Sequence, residues 1–350
     1  MQSTNYYRRT DIMKYTAQDF KSNQEVRWCP GCGDHSVLAS LQRALPQVAE
    51  ERGYPMERFV FVSGIGCSSR LPYYMNTYGF HGIHGRATAI STGMKVANPN
   101  LSIWQATGDG DALAIGGNHF IHAIRRNIDI NIVLFNNRIY GLTKGQYSPT
   151  SPLGKITKTS PYGTVEHPFN PGALVMGARG TFFARSIDSE LKLNQEIFVA
   201  SARHDGCSVT EMLVNCVIYN DGSHREISDK EVRADRTIVL RHGERMIFGK
   251  DRNKGLVLVN KELKVVTIGE GGVTEDDILV HDAHTADMGM HSMLIDMKWP
   301  EYPVALGVIR DVPDKTYDDN VRDQLEDVRA KSTIHNMDEL LHSGSTWEVK

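Results

Sequence analysis

From Arg58 onward the chain alternates short apolar runs with longer amphipathic ones, and that alternation admits few folds. RFVFVS (58–63), LSIWQAT (101–107) and INIVLFNN (130–137) predict strands, while RATAISTGMKVA (86–97) and GGNHFIHAIRRN (116–127) predict the helices between them. After a Gly/Pro/Ser/Thr-rich insertion at residues 140–171, GTFFARS and GCSVTEMLVN predict two more strands flanking the helix SELKLNQEIFVASAR. Strands that alternate with helices in this way build an α/β domain with a doubly wound, mostly parallel sheet. The insertion is too long for an ordinary connection, and loops of that length usually serve function.

Beyond Asn220 the pattern changes. ERMIFGKDRNKGLVLVNKELKVVTIGE predicts small antiparallel hairpins, and TYDDNVRDQLEDVRAKS an exposed, charge-laced helix. Residues 1–25 read as an N-terminal extension, 26–220 as the main domain, and 221–350 as a C-terminal α+β extension.

The 350 residues are 40% hydrophobic, enough for a sizeable core, and the net charge of −3 comes from interspersed acidic and basic residues. There is no basic stripe for nucleic acid, no apolar run long enough to span a bilayer, and no apolar segment in the first twenty residues to act as a secretory signal. The expectation is a soluble, cytoplasmic protein without nucleic-acid or membrane partners. Five scattered cysteines make a poor disulfide framework and suit a reducing compartment.

In an open parallel sheet, ligands bind beyond the carboxyl ends of the strands. GIGCSSR (64–70), GDGDALAIGG (108–117) and NNRIYGLTKGQ (136–146) follow three predicted strands, and Cys216 follows the last. Gly-Asp-Gly alone is also an ordinary turn. Its pairing with Asn136-Asn137 is more informative, because the intervening residues 111–135 have the length of one helix plus one strand. Asp109 and an Asn side chain then end adjacent strands and offer two oxygen ligands of the kind Mg²⁺ takes alongside phosphate. WCPGCGDH (28–35) carries Cys29 and Cys32, which on their own fit half a zinc site, half an iron–sulfur site, a redox pair or nothing at all.

Gly-Asp-Gly followed by Asn-Asn at this distance resembles the thiamine diphosphate signature. With CPGCGDH, GIGCSS and HGIHGRA in order, residues 20–220 resemble the β subunit of 2-oxoacid:ferredoxin oxidoreductases, most closely those using 2-oxoglutarate. The resemblance implies a thiamine diphosphate-binding fold. It implies that Asp109, Asn137 and the Ile139 carbonyl hold Mg²⁺, and that Ser68, Ser69, Gly110, Asp111, Thr143 and Gln146 surround the diphosphate and thiazolium. His84 and Arg86 become phosphate or substrate contacts. Cys29, Cys32, Cys67 and Cys216 become the ligands of a [4Fe–4S] cluster, with Cys207 left as a small buried hydrophobe. Lys144 would meet a substrate carboxylate, and Leu142 would wedge the cofactor into its bent form. The two pairs His81/His84 and His119/His122, at i,i+3, read as packed or solvated rather than as metal ligands.

The activity so implied is oxidative decarboxylation of a 2-oxoacid, with coenzyme A taking the acyl group and ferredoxin the electrons. It needs an α subunit carrying the thiamine-activating glutamate. Rival readings are pyruvate or broad 2-oxoacid specificity, a non-oxidative thiamine enzyme with structural zinc, and a silent scaffold subunit that keeps the fold.

Overall fold

The computed structural model describes residues 14–349, so the first half of the expected N-terminal extension lies outside the described residues. The strands in chain order are β1 (Phe59–Ser63), β2 (Tyr78–His81), β3 (Ser102–Gly108), β4 (Ile130–Asn136), β5 (Phe182–Ile187), β6 (Cys207–Leu213), β7 (Thr237–Leu240), β8 (Ile247–Phe248), β9 (Lys254–Val259), β10 (Glu262–Thr267) and β11 (Val304–Asp311). Eight of them form one sheet in the order β2-β1-β3-β4-β6-β5-β11-β7, and β8 to β10 form a small antiparallel sheet. Every pairing in the large sheet is parallel except β11 against β5. The doubly wound architecture expected from the apolar runs is therefore present. Two strands from beyond residue 220, β7 and β11, complete the sheet.

Helices cover both faces. α1 (Asp34–Arg52), α2 (Leu71–Tyr74) and α7 (Leu191–Arg203) lie on one side; α3 (Ala87–Ala97), α5 (Gly117–Arg126) and α6 (Pro171–Gly177) lie on the other, and the short α4 (Asp109–Leu113) follows β3 directly. Side chains alternate across a strand with a period of two, so each buried strand feeds two cores. Phe59 and Phe61 join the α1 side with Trp104, Val133, Phe135 and Phe198, while Val60, Val62, Ile132 and Leu134 join the α3 and α5 side. Trp104 is fully buried, stacked on Phe61 and edge-on to Phe198. Cys207 opens β6 inside the core. The helix Tyr317–Lys331 is exposed over nearly all its length; its buried Asp318 accepts a hydrogen bond from the Asp129 N–H at 3.2 Å. Among the described residues no helix is long and apolar enough to cross a membrane.

One charge pair sits between neighbouring strands in this apolar setting. Arg185 of β5 is in register with Glu211 of β6, its Nε donating to Glu211 Oε2 at 2.7 Å, and both residues are buried. Glu211 Oε1 accepts from Asn136 Nδ2 at 2.7 Å, so the last residue of β4 is tied to the same carboxylate. Removing one partner strands a buried charge, at a cost of about 3–5 kcal/mol. Glu211→Ala should therefore lose about that much stability, read as a lower denaturant midpoint at unchanged slope.

Candidate active site

Because β1, β3, β4 and β6 are neighbours and run parallel, their carboxyl ends at Ser63, Gly108, Asn136 and Leu213 share one rim. The four segments singled out in the sequence leave from that rim. Three of them, those after β1, β3 and β4, line a cavity of about 200 Å³ whose walls include Ser68, His84, Asp109, Gly110, Asp111, Asn137, Ile139, Leu142 and Thr143.

Asp109 is buried and begins α4. Burial pushes its carboxyl up to about 6, against hydroxyl bonds from Ser148 and Thr150 that hold it down. Those two are its side-chain hydrogen-bond partners, and no cation is among them. The chain then reverses at Arg138, where φ is +56°, a strained value for a side chain of this size. The reversal brings the Ile139 N–H to Asn137 Oδ1 at 3.1 Å. Gly110 is required by contact: a Cβ there would lie 2.1 Å from the Tyr140 ring, whose hydroxyl donates to the Gly110 carbonyl at 3.1 Å. A carboxylate, an amide oxygen and a backbone carbonyl in one cavity suit Mg²⁺. The Ser68 and Ser69 hydroxyls are buried with no hydrogen-bond partner, and Ser68 lines the cavity, as a donor awaiting a phosphate oxygen would. The residues present therefore fit a metal-bound diphosphate.

Other expected residues hold the walls in shape. The Asp111 carboxylate accepts from Gly85 N–H at 2.7 Å, Ile65 N–H at 3.1 Å and Thr107 Oγ1 at 2.8 Å, pinning the loops after β1 and before α3 to α4. Gln146 lies outside the cavity lining; its Nε2 donates to the Thr143 carbonyl at 2.8 Å and its Oε1 accepts from the Thr143 hydroxyl. Lys144 is exposed at the tip of the same turn, with φ +77°, and is likewise outside the lining. Arg86 contacts His119 at 2.7 Å rather than lining the cavity.

A second cavity, of about 210 Å³, is lined by Cys29, Cys32, Cys67 and Cys216. Two hydrogen bonds and one close approach assemble it. Trp28 Nε1 donates to the Cys67 carbonyl at 2.7 Å, Gly33 N–H donates to the Asn215 carbonyl at 3.1 Å, and a Cβ on Gly141 would lie 3.5 Å from both Cys67 and Cys216 Sγ. Burial pushes the Cys67 thiol up to about 12 and the Cys32 thiol higher still. Among the described residues no three His, Cys, Asp or Glu side chains are grouped as a single metal ion needs. Four thiols around one cavity are a donor set that zinc and an iron–sulfur cluster both use. Cys67, Asn137, Gly141 and Leu142 line both cavities, so the two spaces share a wall.

Three residues of this site were not anticipated. Ser148 and Thr150 come from the long insertion, whose Ser/Thr-rich composition was the only signal. Asp34 lines the first cavity, buried; burial and the neighbouring Asp188 push its carboxyl up to about 7.

Residues 64–212 match the thiamine pyrophosphate enzyme C-terminal TPP-binding domain. The chain is 48% identical over 337 residues, 95% of its length and 88% of the relative's, to the 2-oxoglutarate oxidoreductase subunit KorB of Mycobacterium tuberculosis. It is 46% identical over 189 residues, 54% of its length and 69% of the relative's, to the 2-oxoglutarate synthase subunit KorB of Archaeoglobus fulgidus. Among solved structures it is similar to a 2-oxoglutarate:ferredoxin oxidoreductase from Magnetococcus marinus, solved with 2-oxoglutarate, coenzyme A and succinyl-CoA bound. That likeness has a TM-score of 0.74 and 28% identity, over 95% of this chain and 97% of that one.

The contact between Gly110 and Tyr140 gives a direct check. Gly110→Ala should cost about 1–3 kcal/mol through overpacking and weaken thiamine diphosphate binding. Adding Tyr140→Ala should return part of that stability, a non-additivity visible in a double-mutant denaturation cycle.

Proposed function

The chain belongs to the β subunits of the 2-oxoacid:ferredoxin oxidoreductases, and on that premise we propose that it carries thiamine diphosphate, Mg²⁺ and a [4Fe–4S] cluster for the oxidative decarboxylation of 2-oxoglutarate. It is an oxidoreductase subunit that works within a multi-subunit enzyme. In this reading coenzyme A takes the succinyl group, ferredoxin takes the electrons, and an α subunit provides the glutamate that activates the cofactor, all in the cytoplasm. The observation that carries it is the wall shared by the oxygen-lined and thiol-lined cavities.

When bound, thiamine diphosphate supplies the carbanion chemistry of decarboxylation, and the cluster supplies one-electron transfer. The residues of this chain do the rest. Asp109, Asn137 and the Ile139 carbonyl would hold Mg²⁺, and the Ser68 hydroxyl would meet a phosphate oxygen, while Ser69 lies outside the cavity lining. Leu142 contributes an apolar surface on the side of the cofactor cavity nearest the thiols. Lys144, exposed and next in sequence to the lining residue Thr143, offers a positive charge to the second carboxylate of 2-oxoglutarate, which pyruvate lacks. Cys29, Cys32, Cys67 and Cys216 hold the cluster, while Cys207, fully buried in β6, has no access to it.

Co-purified anaerobically with its α subunit, the protein should contain four iron and four sulfide per β chain. Cys216→Ala should lose most of that iron and Cys207→Ala should keep it; the reverse pattern, or a zinc-loaded and colourless complex, overturns the assignment. Lys144→Ala should raise KM for 2-oxoglutarate about tenfold or more, an order expected for one lost charge-assisted contact, and leave KM for pyruvate unchanged.

A further inference from the structure

The long insertion sends two hydroxyls back into the core. Ser148 Oγ donates to Asp109 Oδ2 at 2.5 Å, and Thr150 Oγ1 reaches the same oxygen. Thr150 Oγ1 also lies 2.9 Å from Asn136 Oδ1. Asn136 presents that oxygen because its Nδ2 is committed to Glu211, a pure acceptor, and Glu211 is in turn held by Arg185. All six side chains are buried. The Thr150 hydroxyl has one proton for its two acceptors, so the hydroxyls hold the Asp109 carboxylate while the ion pair between β5 and β6 holds Asn136 beside it.

We propose that Ser148 and Thr150 are positioning residues for the metal site: by occupying Oδ2 of Asp109 they fix its rotamer and leave its other oxygen to the cation. The inference rests on the reading of Asp109 as a Mg²⁺ ligand. The hydroxyls converge on one oxygen of the carboxylate, so the long insertion, rather than the Asp109 turn itself, sets the carboxylate plane. Mg²⁺ tolerates little departure from octahedral geometry at about 2.0–2.1 Å, so a carboxylate free to swing binds it poorly. Groups that orient metal ligands in this way typically account for about 10–100-fold in affinity.

The test uses the complete complex with the α subunit, stripped of metal and cofactor by a chelator and supplied with saturating thiamine diphosphate. Mn²⁺ is the probe, followed by loss of the free-ion paramagnetic resonance signal. Thr150→Val, which keeps shape and removes the hydroxyl, should weaken Mn²⁺ binding by about 10–100-fold, and Thr150→Ser should restore it to within a few-fold. Ser148→Ala should act in the same direction and decides the matter if Thr150→Val does not assemble. A folded Thr150→Val complex that binds Mn²⁺ as tightly as wild type overturns the inference. Asp109→Asn serves as the reference: if it too leaves Mn²⁺ binding intact, the metal-ligand reading falls, and this inference falls with it.

Discussion

Parallel strands cannot be joined by a tight turn, because the chain must return to the amino end of the sheet before it enters the next strand. Here that requirement acts on β1, β3, β4 and β6, which stand side by side. Every loop leaving their carboxyl ends is thrown onto one rim, and every returning helix is thrown onto a face. Segments far apart in the chain, the Cys67 loop, the Asp109 turn, the Asn137 turn and Cys216, become neighbours without any contact between them having to drive it. The core supplies the rigidity. Strands whose alternate residues feed two packed layers cannot slide by one position without sending every side chain into the wrong layer.

Where backbone period and apolar content decided the outcome, the sequence was readable. β1, β3, β4, β5 and β6 are buried along their length, and each shows as an apolar run. β2 does not. Tyr78–His81 is a largely exposed edge strand with mixed chemistry, and its identity comes only from pairing with β1. β11 was equally hard to find: it is antiparallel to its neighbour β5, shifts register between Val308 and Arg310, and lies far from the other strands of the sheet in sequence. Its place is a tertiary fact.

The site divides along the same line. Residues tied to the ends of strands, such as Asp109, Asn137 and Cys67, could be placed from spacing. Those whose position depends on how a loop closes could not. Ser148 and Thr150 are ordinary loop residues until the insertion folds back over β3 and β4, and Asp34 is one more helix-start acid until α1 docks beside Asp188. Asp111 makes a related point. It looks like a ligand for something in the cavity, yet its carboxylate is consumed by three donors from the surrounding loops. A motif can be as much about holding glycine-rich turns together as about touching what binds between them.

The wall common to the two cavities constrains substitution. Leu142 faces the oxygen-lined space on one side and the thiol-lined space on the other, and Gly141 beside it leaves room for two sulfurs. A substitution that reshapes the first space to admit a different acid also alters the packing and polarity next to the second. The shapes of the two spaces are therefore coupled at these positions, and neither can be changed there alone.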